Sequence, residues 1–285
     1  MIQNVQFKIP EIIWYGETPQ SPNIPEKPDL VFRVVQATSD LGPTVALMAA
    51  YYLGSPFTEY YGGQLMRAIW IVAVDEQNGR VYQADLNGPD HLPIMIEASD
   101  EVAEAAMPGW SFESAHFNVD LAALLGLPEQ SGRYRVFLWL DDIVSSIKTV
   151  DVPANPARGK GRPVASQTSQ LVQFGPDPKA PKVQADNIVL ALSGEPDDMS
   201  IHGAWTPQKG VDPHQVVLWI LATSHRDRNF GWVAIRADES PTNIASASFC
   251  IDALKLVRTS GIEQKIFVLG LSTTSISKVV VMRAK

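Results

Sequence analysis

A series of short apolar runs occurs twice along this chain in one order, and that duplication narrows the folds open to it more than any other feature. In the first copy Phe117-Asn118-Val119-Asp120 leads over an apolar bridge to residues 134–140 and closes on 147–152. In the second, Phe249-Cys250-Ile251-Asp252 leads to 266–269 and 278–282. Upstream, 30–35 answers to 188–192, 44–52 to 199–205, 68–74 to 216–222 and 81–84 to 230–233. The distance from Trp70 to Phe117 exceeds that from Trp219 to Phe249 by 17 positions, which places an insertion at 86–112 in the first copy. Short similarities in a constant order are the signature of two copies of one domain.

Each run is the length of a strand, and turn residues punctuate the series. The near-continuous apolar run 68–74 suits a strand buried on both faces, and Asn78-Gly79 after it suits a hairpin turn. Asp120 is placed to cap a one-turn helix over 121–125, with Gly126 at its end. Within the insertion, 99–107 has a helix pattern: Ser99 as cap, acids in the first turn, Pro108 as stop. The chain divides into an extended, proline-punctuated arm (1–28), a first domain (29–154), a proline-rich linker (155–186) and a second domain (187–285). Proline stiffens the linker and confines the arm to a sheet edge. The arm packs on its own domain or pairs with the sheet edge of a neighbour.

At 285 residues, with 45% hydrophobic and 19% charged residues, the chain has apolar mass for two cores. Twenty-one prolines and nineteen glycines fit turn-rich β structure better than helices. The formal charge of −8 argues against nucleic acid, which needs Lys and Arg to displace counterions. The single cysteine, Cys250, excludes an internal disulfide. With no signal-peptide pattern at the start, no apolar run near the length of a membrane span and no Asn-x-Ser/Thr site, the expected location is cytoplasmic, with signal-less export open.

Trp70 and Trp219 fall on the third strand of their copies, and Gly132-Arg133-Tyr134-Arg135-Val136 has the form of a tyrosine-corner entry to a late strand. On these residues both halves resemble immunoglobulin-like or fibronectin type III-like β-sandwich domains in tandem. The resemblance implies an all-β fold with Trp70, Trp219, Phe117, Phe249, Phe137, Phe267 and Tyr134 in the structural core. In the second copy Lys265 stands near the tyrosine position and the corner is missing; neither copy has the paired cysteines of antibody domains. The fold implies no single function.

The chemistry-bearing residues give little. Ser224, His225 and Asp227 share one polar turn, whereas catalytic triads converge from separate elements, so a solvated turn is expected. His91, His116, His202, His214 and His225 lack metal-ligand spacing. Asp141-Asp142 and Asp197-Asp198 come without a calcium loop. Gly159-Lys160-Gly161-Arg162 has neither the strand nor the helix of a phosphate loop, and Arg158, Lys160 and Arg162 read as solvated linker charge. No catalytic residue, metal or cofactor is implied. The candidate binding surface is the aromatic stretch Tyr51, Tyr52, Phe57, Tyr60 and Tyr61, flanked by glycines, whose rings suit a protein interface or a sugar. The expected function is non-enzymatic: binding a protein partner, or self-association into a homo-oligomer, through this aromatic loop and the arm. A glycan-binding module and a hydrolase with a site between the domains are the alternatives. No membrane partner is expected.

Overall fold

The computed structural model describes residues 7–55, 57–86, 112–158, 173–174, 177–182, 188–195, 198–206, 215–236, 247–257, 261 and 263–284. The helix expected at 99–107, Gly159–Arg162, His91 and His214 lie outside them. The fold is all-β and divides into two compact units. One comprises Met1–Asp75 with Tyr82–Pro163, the other Glu76–Val81 with Val164–Lys285.

In the first unit the strands are β1 (Phe7–Lys8), β2 (Ile13–Tyr15), β3 (Asp29–Ser39), β4 (Gly42–Gly54), β5 (Trp70–Asp75), β6 (Val81–Ala84), β7 (Phe112–Asp120), β8 (Gly132–Leu140), β9 (Ile143–Val144) and β10 (Lys148–Val152). They form two sheets, β1-β3-β4-β7-β2 and β10-β8-β5-β6, with β9 paired to β8. The second unit has β11 (Gln173–Phe174), β12 (Val189–Glu195), β13 (Asp198–Trp205), β14 (Val216–Ser224), β15 (Phe230–Arg236), β16 (Ala247–Asp252), β17 (Gln264–Ser272) and β18 (Val280–Ala284). Its sheets are β11-β16-β13-β12 and β15-β14-β17-β18. In both units a hairpin of two strands is followed by two strands in the other sheet. One strand then returns, and the chain crosses back for the last pair. This is the strand order of a Greek-key sandwich.

The return crossing is built from a capped helical turn. Asp120 has an extended backbone (φ −72°, ψ 100°), and its carboxylate accepts the Ala123 N–H at 3.0 Å at the start of the helix Leu121–Leu125. The buried Thr44 hydroxyl donates to the same oxygen at 2.6 Å. Gly126 ends the helix at φ +60°, a left-handed conformation in which a Cβ would be strained. In the second unit Asp252 accepts from the Leu254 and Lys255 amides at 3.1 and 3.2 Å over the helix Ala253–Leu256, which ends on extended Val257.

The arm belongs to the first sheet. β1 runs parallel to β3 at one edge, and β2 antiparallel to β7 at the other. Residues 45–51 of β4 are all fully buried. Alternation sends Leu47 and Ala49 to one face and Ala46 and Met48 to the other. Ile9 joins Ala46, Met48 and Ala37 in a small cluster, with Phe7, Trp14 and Val35 packed against it. The arm therefore covers the outer face of its own sheet. Asn118 fastens it, donating to the Gly16 carbonyl at 2.8 Å, as does the His116 ring, 3.0 Å from the Pro22 carbonyl.

Every residue of β14 is buried. Leu218, Ile220 and Ala222 pack with Ile266, Val268 and Phe249 in the core cluster between the sheets. Trp219 and Phe267 are equally buried, but they alternate with those residues and stand outside that cluster. Both are buried, as expected of core residues, and the pleat turns them to the face opposite Leu218 and Ile266. The Trp219 indole N–H donates to the Gly79 carbonyl at 2.9 Å within the same unit. Trp70, Phe117, Phe137, Phe249 and Tyr134 are buried. Tyr134 rests on Gly132, whose Cβ position lies 2.7 Å from the phenol oxygen, and meets Tyr82 edge to face. Among the described residues its hydroxyl makes no bond to upstream backbone.

Two substitutions test this account by urea unfolding. A Cβ at Gly231 would stand 1.7 Å from the Leu256 carbonyl oxygen, which backbone cannot vacate; Gly231→Ala should lower stability by about 2 kcal/mol. Asp120→Ala should cost about 2 kcal/mol and Asp252→Ala about 1 kcal/mol, because only Asp120 also leaves a buried hydroxyl without its acceptor.

Candidate functional site

The five aromatic residues singled out by the sequence do not form one surface. Tyr51 is fully buried in β4, its hydroxyl donating to Glu113. Burial pushes its pKa up, and the Glu113 hydrogen bond and charge add to the shift. Tyr61 is 1% exposed and donates to an Asp141 carboxylate oxygen at 2.9 Å. These two are core side chains, which corrects their place on a binding surface. The stretch is also not an open loop: Phe57–Tyr61 forms a turn of α-helix that runs into a 3-10 turn, Gly62–Ala68. Phe57, Tyr52 and Tyr60 are half-buried. Tyr52 stacks on Phe112 at 4.9 Å with planes 6° apart, and Tyr60 meets Tyr61 edge to face at 5.1 Å.

Two of the charged residues weighed in the sequence, Asp141 and Arg158, have structural duties. Asp141 is 7% exposed, sits at φ +50° and accepts the Trp139 indole N–H on its carbonyl at 2.6 Å, so it holds a tight turn. Arg158 is not a solvated linker charge. Its guanidinium donates to the Pro128 and Pro153 carbonyls at 3.1 and 3.0 Å, and burial lowers its pKa. The turn at Ser224 and His225 is not solvated either. Both residues are buried; Ser224 accepts the Asn229 N–H at 3.0 Å, and Gln264 bonds the Arg226 and Asp227 amides and the Asp227 carboxylate.

A different constellation lies on the outer face of the β12–β13 hairpin. The register Ala191↔His202 and Ser193↔Ser200 puts Ser193 and His202 on one face, diagonally across the pair. Ser193 Oγ is 2.6 Å from His202 Nε2, and His202 Nδ1 is 2.5 Å from Asp177 Oδ2. Lys179 Nζ donates to Ser193 Oγ at 3.4 Å. The hydrogen bond from His202 holds the Asp177 carboxyl below its usual pKa, outweighing the opposing effect of burial, and the Lys179 amide and both cationic neighbours act in the same direction. An ionised carboxylate only accepts, so Nδ1 carries the proton toward Asp177, and in the tautomer protonated at Nδ1 alone Nε2 accepts from the Ser193 hydroxyl. The imidazole is 7% exposed and the carboxylate 15%, whereas Ser193 is half-buried. His202 and Ser193 were legible as hairpin neighbours had the register been drawn. Asp177 was not, because it stands in a proline-rich stretch with no periodicity. That stretch also contributes β11, paired with β16, to the sheet.

Among the described residues no group of three or more His, Cys, Asp or Glu could hold a metal ion, and no helix is long and apolar enough to cross a membrane.

No protein family and no curated protein matches the chain. Among solved structures it is similar to a two-domain fibronectin type III segment of chicken tenascin, at 11% identity over 90% of this chain and 98% of that one, TM-score 0.18. It is also similar to the C-terminal domain of the Streptococcus pyogenes antigen I/II-family protein AspA, at 9% identity over 89% and 98%, TM-score 0.18. The chicken CNTN1 FN1–FN3 domains match at 9% over 84% and 60%, TM-score 0.16. Likeness of this degree carries no weight by itself. The assignment to fibronectin type III-like or immunoglobulin-like sandwiches rests on strand order and core.

The pH dependence of stability reports on the Asp177–His202 pair. The Asp177 pKa is lowered on folding, so its contribution is present above the unfolded carboxylate range and is lost as pH falls through the lowered value. Urea midpoints should therefore fall below about pH 4, and Asp177→Asn should flatten that fall. An unchanged acid profile in this variant would mean the pair contributes nothing.

Proposed function

We propose that the chain is an interaction protein whose first unit carries the binding surface, and that its two units are copies of one domain. The shared strand itinerary and the aspartate cap at corresponding places support the duplication. The observation that carries the binding reading is the distribution of exposed apolar side chains. Ile12, Tyr15, Ile24, Leu41 and Phe112 in the first unit are 40–59% exposed, and three of them belong to the arm. Ile12 precedes and Tyr15 ends the edge strand β2, where unpaired backbone groups and apolar side chains stand together. Such an edge is a template for another strand. Tyr52 stacked on Phe112 adds a rigid aromatic pair, the kind of anchor that concentrates binding energy.

The occupant of this edge is a protein: a second copy of the chain or a partner that adds a strand. Size-exclusion chromatography with light scattering on the full chain tests the first case. Self-association in the micromolar range is expected, and Ile12→Ser with Tyr15→Ser should weaken it about tenfold or more while leaving the melting temperature near that of the unaltered chain, since both side chains already face water. A chain that stays monomeric at millimolar concentration and captures no partner in pull-down would overturn the reading.

A further inference from the structure

We propose that Ser193 is an acyl-accepting nucleophile, activated by His202 and positioned through Asp177, and that this outer sheet face hydrolyses carboxylic esters. This goes beyond the binding reading and uses a different unit of the chain.

Three observations converge. The first is geometric: nucleophile, base and orienting carboxylate lie in series at 2.6 and 2.5 Å, within the range that proton transfer requires. They come from separate elements, two neighbouring strands and the turn at 177–180, as a working triad does. The second is the difference in exposure. The imidazole–carboxylate pair is shielded from water, which holds the ring in one orientation, while Ser193 is partly exposed. The third concerns the ground around Ser193. Lys179 brings an ammonium to 3.4 Å from Oγ, where a cation attracts the negative charge of an acyl-transfer oxyanion. Gly194, next in the chain, is exposed with φ +112° and adds no side chain of its own beside the hydroxyl.

The chemistry balances with water as co-reactant. Ser193 Oγ bonds to the acyl carbon as its proton moves to His202 Nε2. The carbon–oxygen bond to the leaving alcohol breaks, and that oxygen takes the proton from Nε2. Water then attacks the acyl-Ser193 ester; its proton passes by way of Nε2 to Ser193 Oγ, releasing the carboxylic acid. Asp177 touches no substrate. It holds the ring and favours the imidazolium. The face lies on the outside of a sheet, so the ester it suits is one whose acyl group is exposed.

The full-length protein is treated with a fluorophosphonate probe between pH 6 and 9, its peptides are mapped by mass spectrometry, and hydrolysis of p-nitrophenyl acetate is followed. One phosphonyl adduct on the Ser193 peptide is expected. Ser193→Ala and His202→Gln should reduce both labelling and turnover by about 100-fold or more. Ser200→Ala, which alters the cross-strand neighbour of Ser193, should leave both unchanged. Asp177→Asn should lower turnover and change its pH profile, which a purely structural tie would not do. Circular dichroism of Ser193→Ala, a change of one partly exposed oxygen, guards against misfolding. Absence of an adduct on Ser193 across this pH range, or equal turnover in native and Ser193→Ala protein, would overturn the proposal and leave the cluster as a tie between the turn and the sheet.

Discussion

One carboxylate in each unit lets the chain leave a sheet and re-enter the other without stranding backbone amides in an apolar interior. Asp120 and Asp252 end β7 and β16 and accept the first free N–H groups of the following turn. Both sandwiches depend on that crossing, because the late pair of strands reaches its sheet only through it. The first site is the more constrained. Asp120 is 4% exposed and shares its oxygen with Thr44 of β4, so one side chain fixes the crossing and ties it to the neighbouring strand. The second cap is met by Lys255 at the surface, 2.8 Å from the carboxylate, where screening limits the value of the ion pair.

Burial on both faces of the central strands sets the remaining architecture. A strand such as β4 or β14 without an exposed face needs cover on its outer side as well as a partner sheet. In the first unit the arm supplies it: Ile9, Phe7 and Trp14 lie over Met48 and Ala46. The arm is thus part of the fold. It leaves Ile12 and Tyr15 exposed to solvent.

The outer face of the second unit took a different course. Where β12 and β13 pair, the outward positions carry Ser193, Ser200 and His202 in place of apolar residues, and the turn at Asp177 closes over the histidine. Burying an imidazole next to a carboxylate is stable only with both ring nitrogens bonded, and here they are. The same satisfaction that makes the cluster acceptable to the fold also sets the tautomer that leaves Nε2 facing a hydroxyl.

Strand positions, the Asp120 cap, Gly126 as its stop and the tandem sandwich class were legible because each follows from local rules: period-two apolarity, a capping side chain, a residue free to adopt positive φ. The fate of individual side chains was not. Tyr51 and Tyr61 read as surface aromatics, yet a few positions of strand or helical phase bury both beside carboxylates. Trp219 and Phe267 were recognised as buried, but which face they serve follows from the pleat relative to Leu218 and Ile266. The Ser193–His202–Asp177 series was out of reach, since it joins a hairpin diagonal to a residue in a proline-rich stretch. The sequence by itself determined the strands, their caps and the class of fold, because those depend on neighbours a few residues away. Only the tertiary structure decided which polar groups meet, because that depends on register and on contacts between distant segments that no local pattern encodes.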